Sequence, residues 1–307
     1  MNIDVNPAHV RTLQTIVQTG SFVRAAETLH LSQPALSHHI RHLETALGVP
    51  VLERLGRRTT ATTAGRLLLE HAGRAFRELE RAREAIQQRQ GVVAGRVSIG
   101  TGATASIHLL PPVLGELHRR YPGLDLVVVT GNAPDVASAV ERDELDVGIV
   151  TLPVSGRALA VSPFYLDRLV AIAPPGREWR RHVALTPAEL ARHPLILYER
   201  GGTIRRIMDE WLRRGRALPR VAMELGNTEA TKKLVGAGLG VSIVSEVAVQ
   251  AEAKADALNV IALSPPLHRT LGIVRRRDKP VRPALQALLT ALARRPRAPA
   301  RRIVRAR

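Results

Sequence analysis

The chain has 307 residues, with 45 lysines and arginines against 27 acids, a formal charge of +18. That length exceeds one compact core and the 45% apolar content fills two or three domains, while the basic excess favours a polyanionic partner such as nucleic acid. With no cysteine, disulfides, thiolate metal sites and thiol redox sensing are excluded.

The opening Met1 to Pro7 has neither the basic region nor the apolar core of a signal peptide, and no run is apolar enough to span a bilayer. The expectation is a cytoplasmic protein with no membrane partner. Val10, Leu13, Ile16 and Val17 then give a supporting helix. Ser21 caps a second helix, in which Ala25, Ala26 and Leu29 are small or apolar enough for close helix contact, and Ser32 with Pro34 restarts the chain as a third. Two short helices joined by a tight turn make a helix-turn-helix.

Along the third helix Leu36, Ile40, Leu43 and Leu47 fall on one side, while Pro34, His38, Arg41 and Thr45 point away with Ser37 flanking them. The apolar side packs, and the other side is left for base edges. His38, His39 and His42 are read as solvated or partly packed imidazoles in preference to a pH or metal device, with His39 leaning toward the packed side. Arg24 at the start of the second helix either reaches a phosphate or is a plain surface arginine. Val51 to Arg58 reads as a short wing whose Arg54, Arg57 and Arg58 suit phosphate contacts, and the capping serines Ser21 and Ser32 complete the DNA-binding candidates.

From Gly20 to Gly48, through Gly-Ser-Phe, Ala-Ala, Ser-Gln-Pro-Ala and the closing Leu-Gly, and on through Thr63-Ala64-Gly65, the chain resembles the LysR-type transcriptional regulators. The resemblance implies a winged helix-turn-helix that places Gln33, Pro34, Ser37 and the residue after it in the major groove. Here that residue is His38, where many relatives have arginine, which puts base preference at that position in doubt. The domain is expected over residues 4–62.

After the wing, Leu68, Ala72, Ala75, Leu79, Ala82 and Ile86 recur at spacings of 4, 3, 4, 3 and 4, a heptad seam on a linker helix expected over 63–90. Charged residues cover its outer faces, so the seam is assigned to pairing with a second copy in preference to packing on its own domain. Two recognition helices on a two-fold axis then read two half-sites. The resemblance adds assembly of dimers into a homotetramer and RNA polymerase as a further partner.

Beyond the polar break at Gln87 to Gly91 the pattern changes to strands alternating with amphipathic helices, the signature of an α/β domain with a mainly parallel sheet. Strands are expected at 96–100, 124–130 and 145–151, with helices at 112–120 and 133–142. Further strands are expected at 169–173, 195–198, 221–225 and 241–245, with Thr203 capping a helix whose Ile204, Ile207, Met208, Trp211 and Leu212 share a face. A strand at 270–274 and a helix at 283–293 return to the first lobe, with crossings near Ser162 and Leu267 forming a hinge.

Arg119-Arg-Tyr-Pro-Gly123, Glu144 to Ile149 and Val235 to Val241 resemble the effector-binding domain of the same regulators, itself similar to periplasmic solute-binding proteins. The fold class is thus α+β multidomain: a winged helix-turn-helix, a long linker helix and a two-lobed α/β effector domain over 95–295. Lobe I takes 95–162 plus 268–295, and lobe II takes 163–267. A basic, disordered tail is expected over 296–307. Seven arginines from Arg294 to Arg307 lie in a Pro- and Ala-rich ending without acids, and setting them aside still leaves a clear positive excess.

Ligands of α/β sheets bind at the carboxyl ends of strands, which selects Thr101, Gly102, Ala103, Thr104, Ser106, Asn132, Thr151, Thr203 and Thr228 as effector-binding candidates. Several open helices, where free N–H groups favour an anion, and with no acid among them a small anionic effector is expected. The bland alternative is that these residues are helix caps. Gly100-Thr-Gly102-Ala-Thr-Ala105 after a strand also fits an NAD(P)-dependent oxidoreductase, but the second strand ends in Thr130-Gly-Asn132 without the acid or base that would hold the ribose. A solute-binding protein with no DNA role fits the later two thirds and leaves the amino-terminal region unexplained. No Ser-His-Asp order, paired-carboxylate motif or His-Glu-x-x-His spacing appears. The expectations are no catalysis, no metal and no cofactor, with double-stranded DNA and a small molecule as partners.

Overall fold

The computed structural model describes residues 5–56, 58–88, 93–216 and 219–294. The chain divides into two compact units, Met1–Ile86 and Gln87–Arg307.

The first unit begins with α1 (Pro7–Thr19), α2 (Phe22–Leu29) and α3 (Gln33–Leu47). Each start has its own cap. Asn6 accepts from the Ala8 N–H, Ser21 from Arg24 and Ser32 from Ala35. Gly48 closes α3 in the left-handed region, at φ 70°, where a Cβ would be strained. The antiparallel hairpin β1 (Leu52–Leu55) and β2 (Arg58–Ala61) follows, then the long helix α4 (Thr63–Gln88).

Val10, Leu13, Ile16, Ala25, Leu36, Ile40, Leu43 and Val51 form the core of this unit. Leu47, expected on the packed side of α3, is the last residue of the helix and is 37% exposed. The heptad seam also divides. Leu68 and Ala72 are half-buried against their own core, together with Leu69 and Phe76. Ala75, Leu79, Ala82 and Ile86 are exposed, Leu79 at 65% and Ile86 at 70%. The first turns of the seam therefore serve the unit's own core, and only the later part is free to pair.

The second unit opens with β3 (Gly95–Thr101), a π-helical turn over Ala105–Leu109, α5 (Pro111–Arg120), β4 (Leu124–Thr130), α6 (Ala133–Glu141) and β5 (Val147–Thr151). The long strand β6 (Leu159–Ala173) leads to β7 (Ala184–Leu185), α7 (Pro187–Leu190), β8 (Leu195–Tyr198), α8 (Thr203–Arg213), β9 (Val221–Leu225) and α9 (Thr228–Gly236). Then come β10 (Ser242–Ser245), α10 (Gln250–Lys254), β11 (Asn259–Leu263), β12 (Leu267–Arg276) and α11 (Pro283–Ala293).

Strands run in the order β4-β3-β5-β12-β6-β11-β7, with β10 also on β6 and β8-β9 as a separate pair. The sheet is mixed, not mainly parallel: β3 is parallel to β4 and β5, whereas β12 runs antiparallel to β5 and β6, and β10 and β11 run antiparallel to β6. One core gathers Val97, Ile99, Val147, Ile149, Leu285 and Leu288, and another gathers Leu169, Leu195, Met208, Trp211 and Ile243. These are the two lobes.

The two crossings expected near Ser162 and Leu267 fall on β6 and β12, which pair with each other along their length. Strand β6 begins ten residues before the expected Leu169, and it pairs with β12 from Leu267↔Leu169 to Arg276↔Leu159. A two-stranded ribbon thus joins the lobes. Pro163 lies beside a register shift at Leu271/Gly272, where a residue lacking an N–H does least harm to the ladder. Strands β7 and β11 had no counterpart in the sequence reading.

Gly65 lies where α4 crosses the chain at Val51, and a Cβ there would collide with the Val51 carbonyl oxygen and press on Ala61. Gly65→Ala is therefore expected to destabilise the first unit by roughly 1–3 kcal/mol, read as a lowered midpoint in denaturant unfolding.

Candidate functional sites

The polar side of α3 stays open. Gln33, Pro34, His38 and Arg41 are exposed and Ser37 is half-exposed. The Ser37 hydroxyl donates to Gln33 O at 3.1 Å, and Arg41 Nε donates to Ser37 O at 3.4 Å, so both groups are held along the helix surface. Ser21 and Ser32 spend their hydroxyl oxygens as caps. Arg24 on α2, Arg54 on β1 and Arg58 on β2 are exposed. Arg57 and the expected tail at 296–307 lie outside the described residues.

In the second unit a cavity of about 400 Å³ lies between the lobes. Seven of the nine effector candidates line it: Gly102, Ala103 and Thr104 after β3, Asn132 after β4, Thr151 at the end of β5, Thr203 at the start of α8 and Thr228 at the start of α9. Two do not. Thr101 is buried, with its hydroxyl donating to Ile149 O at 3.0 Å, and the Ser106 hydroxyl donates to Ala103 O at 2.9 Å. Both sit in the right stretch of chain but are consumed by backbone.

The residues missed by sequence are the charged and aromatic ones. Arg269 on β12 lies opposite Asp167 on β6, and Arg269 Nε donates to Asp167 Oδ2 at 2.7 Å. Asp167 Oδ1 accepts from Ser245 Oγ at 2.7 Å. Both members are buried, Arg269 at 7% exposure and Asp167 at 1%. Arg269 Nη1 stands 3.5 Å from Thr151 Oγ1, and Nη2 is buried with no hydrogen-bond partner among the described residues. Tyr198 Oη lies 2.6 Å from Thr228 Oγ1, and burial pushes the phenol above its usual range. Tyr198 ends β8, so the strand-end rule that selected the threonines reaches it too.

The helices opening on the cavity differ in their ends. Asn132 caps α6 through the Asp135 N–H, and Asn227 caps α9 through Glu229 and Ala230. Helix α8 has Gly202 before it and no side-chain cap, which corrects the capping role expected of Thr203. Its opening residues Gly202, Thr203 and Ile204 line the cavity, with no side-chain cap on the first N–H groups. Glu199 also lines the cavity, so the expected absence of acid is corrected. Its carboxylate lies against Gly226. Arg200 is drawn to Glu224 at 3.0 Å. Among the described residues no group of side chains is arranged to hold a metal, and no helix is long and apolar enough to cross a membrane.

A helix-turn-helix carrying an open polar face, joined in one chain to a two-lobed cleft, defines a DNA-binding transcriptional regulator that answers to a small molecule. Residues 7–66 match the bacterial regulatory helix-turn-helix protein family of lysR type, and residues 90–297 match the LysR substrate binding domain. The chain is 32% identical to the HTH-type transcriptional regulator CbbR of Xanthobacter flavus, over 93% of this chain and 86% of that one. Full-length CbnR in complex with its target DNA superposes with a TM-score of 0.74 at 20% identity, covering 94% of this chain and 99% of that one. The regulatory domain of CcmR from Synechocystis PCC6803 in complex with 2-PG does so with a TM-score of 0.60 at 24% identity, covering 64% and 95%. The chain belongs to the LysR family of transcriptional regulators. The solute-binding reading without a DNA role falls with that assignment, since the helix-turn-helix match covers the region it left unexplained, and the LysR substrate binding domain match over 90–297 replaces the oxidoreductase reading of that stretch.

Asp167→Ala would strand the Arg269 guanidinium in a buried site. The expected cost is about 3–5 kcal/mol, measured as loss of stability of the second unit, with the unfolding of the first unit unchanged.

Proposed function

We propose that this regulator reads its operator through Gln33, Pro34, Ser37, His38 and Arg41 on α3, and is positioned on the duplex by phosphate contacts from Arg24, Arg54, Arg57 and Arg58. Its effector is a small anion seated in the inter-lobe cavity. The observation that carries the anion is the buried, unpartnered Nη2 of Arg269. Burying a donor without an acceptor is costly, and a carboxylate or phosphate oxygen supplies the missing acceptor. The uncapped start of α8 adds free N–H groups and the positive end of a helix dipole to the same cavity.

Such a ligand touches both lobes and the ribbon between them: Thr104 and Thr151 from one side, Thr203 and Thr228 from the other, Arg269 from β12. Binding then favours one lobe arrangement by its difference in affinity for the two, and this biases how the DNA-binding heads engage the promoter. The exposed run Ala75, Leu79, Ala82 and Ile86 supports pairing of α4 with a second copy, and dimers pair further into a tetramer. The protein works without catalysis and without a cofactor.

The effector is sought among small acids, with 2-PG, inorganic phosphate and citrate in the first panel and neutral sugars as controls, by shifts in thermal midpoint. A small acid should stabilise the full-length protein. Arg269→Gln should weaken its binding by about 2 kcal/mol, roughly thirtyfold in Kd, while operator protection persists. Stabilisation by neutral compounds alone, undisturbed in Arg269→Gln, contradicts the anion. For the head, Gln33→Ala or Ser37→Ala should cost about 1–3 kcal/mol on a selected operator and little on random duplex, whereas Arg58→Ala should weaken both and lower the salt slope by about one.

A further inference from the structure

His38, His39 and His42, expected as solvated or partly packed imidazoles with His39 toward the packed side, belong with His9 to one cluster of rings in the first unit. Four of the chain's eleven imidazoles form one connected run of rings. His9 on α1 stacks on His39 of α3 with centroids 4.4 Å apart and an interplanar angle of 28°. The same His9 ring lies 5.5 Å from His42, and His42 lies 4.7 Å from His38. His38 and His42 are one helical turn apart and exposed, while His9 and His39 are half-buried beneath them. The inner end is anchored, since His39 Nδ1 stands 2.8 Å from Oγ1 of the buried Thr12.

The surrounding charges on the packed elements are otherwise engaged. On α3, Arg41 Nε donates to the Ser37 carbonyl, and Glu44 accepts from the Val51 N–H on the side of the wing. On α1, the Arg11 guanidinium lies over the Phe76 ring of α4. Arg24 and Glu27 on α2 are exposed. Among the described residues no carboxylate forms an ion pair with His38, His39 or His42. The polyanion that α3 addresses is the duplex.

We propose that DNA binding by this head is proton-linked: His38 and His42, the exposed end of the ring run, take up protons as the duplex docks and then act as added cationic contacts to phosphate and purine acceptors. Imidazole is the side chain whose charge changes near neutral pH. A neutral ring has one donor, and a protonated ring has two. Ring contact along the run places several such groups side by side on the helix that meets DNA, where phosphates recur at about one charge per 1.7 Å of duplex axis. The bound state therefore holds more protons than the free state, and affinity rises as pH falls. This rests on α3 being the DNA-reading helix and is independent of the effector.

The test uses full-length protein and a fluorescent random-sequence duplex, titrated by anisotropy over a salt series at about pH 6 and about pH 8. Wild type should bind roughly tenfold tighter at the lower pH, with a salt slope steeper by about one for each added phosphate contact. His38→Gln/His42→Gln, exposed positions whose replacement leaves Thr12 and His39 in place, should lose most of this pH dependence, with an unchanged thermal midpoint. His42→Arg, which fixes the charge, should bind near pH 8 about as tightly as wild type does near pH 6. His118→Gln on α5 should behave as wild type. Equal pH dependence in wild type and His38→Gln/His42→Gln overturns the proposal, as does a wild-type salt slope that does not change with pH.

Discussion

Everything the second unit does is constrained by one cross-strand pair. Asp167 and Arg269 face each other on β6 and β12, the two strands that run between the lobes. A carboxylate and a guanidinium are costly to bury, and the cost is offset only if nearly every donor and acceptor is met. Three of the interactions are in place, from Arg269 Nε, Ser245 Oγ and Thr151 Oγ1. The one left over is Nη2, on a residue that lines the cavity. The ribbon that joins the lobes therefore also carries the guanidinium that the proposed anion would meet, which would couple occupancy to lobe arrangement at the same atoms.

The first unit obeys a different constraint. Its three short helices bury one apolar side each, and α3 can give its other side to DNA because its structural needs are met from within: Ser32 at its start, Gly48 at its end, and Leu36, Ile40 and Leu43 beneath. Gln33, His38 and Arg41 contribute nothing to that core. They stay exposed along the helix.

This separation explains what was legible in the sequence. The head could be read residue by residue because caps, turn glycine and helical period are local signals, and they coincide with a long family motif. Of the effector cleft, the hydroxyl residues at strand ends were legible for the same reason, although chain position alone could not tell that Thr101 and Ser106 turn their hydroxyls to backbone. The ribbon was hidden. Pro163, Asp167 and Arg168 break the apolar alternation expected of a buried strand, and only the register Arg269↔Asp167, set by residues about a hundred positions apart, turns two apparent surface charges into a buried pair. The histidine run was obscured likewise, since His9 joins it from another helix.

In the proposed assembly, helix α4 would tie the reading of DNA to the pairing of two copies. Its early residues, Leu68, Ala72 and Phe76, are part of the head's own core, so the helix cannot turn relative to α3 without breaking that packing. Its later exposed residues continue in the same helical phase, and from Arg74 to Gln88 the sequence contains no glycine or proline at which the helix would bend. A second copy that packs on Ala75, Leu79, Ala82 and Ile86 is therefore indexed to the head through a continuous backbone. The separation and facing of two recognition helices then follow from side-chain packing along one helix, and a change imposed on that pairing would reach the DNA as a change in half-site geometry.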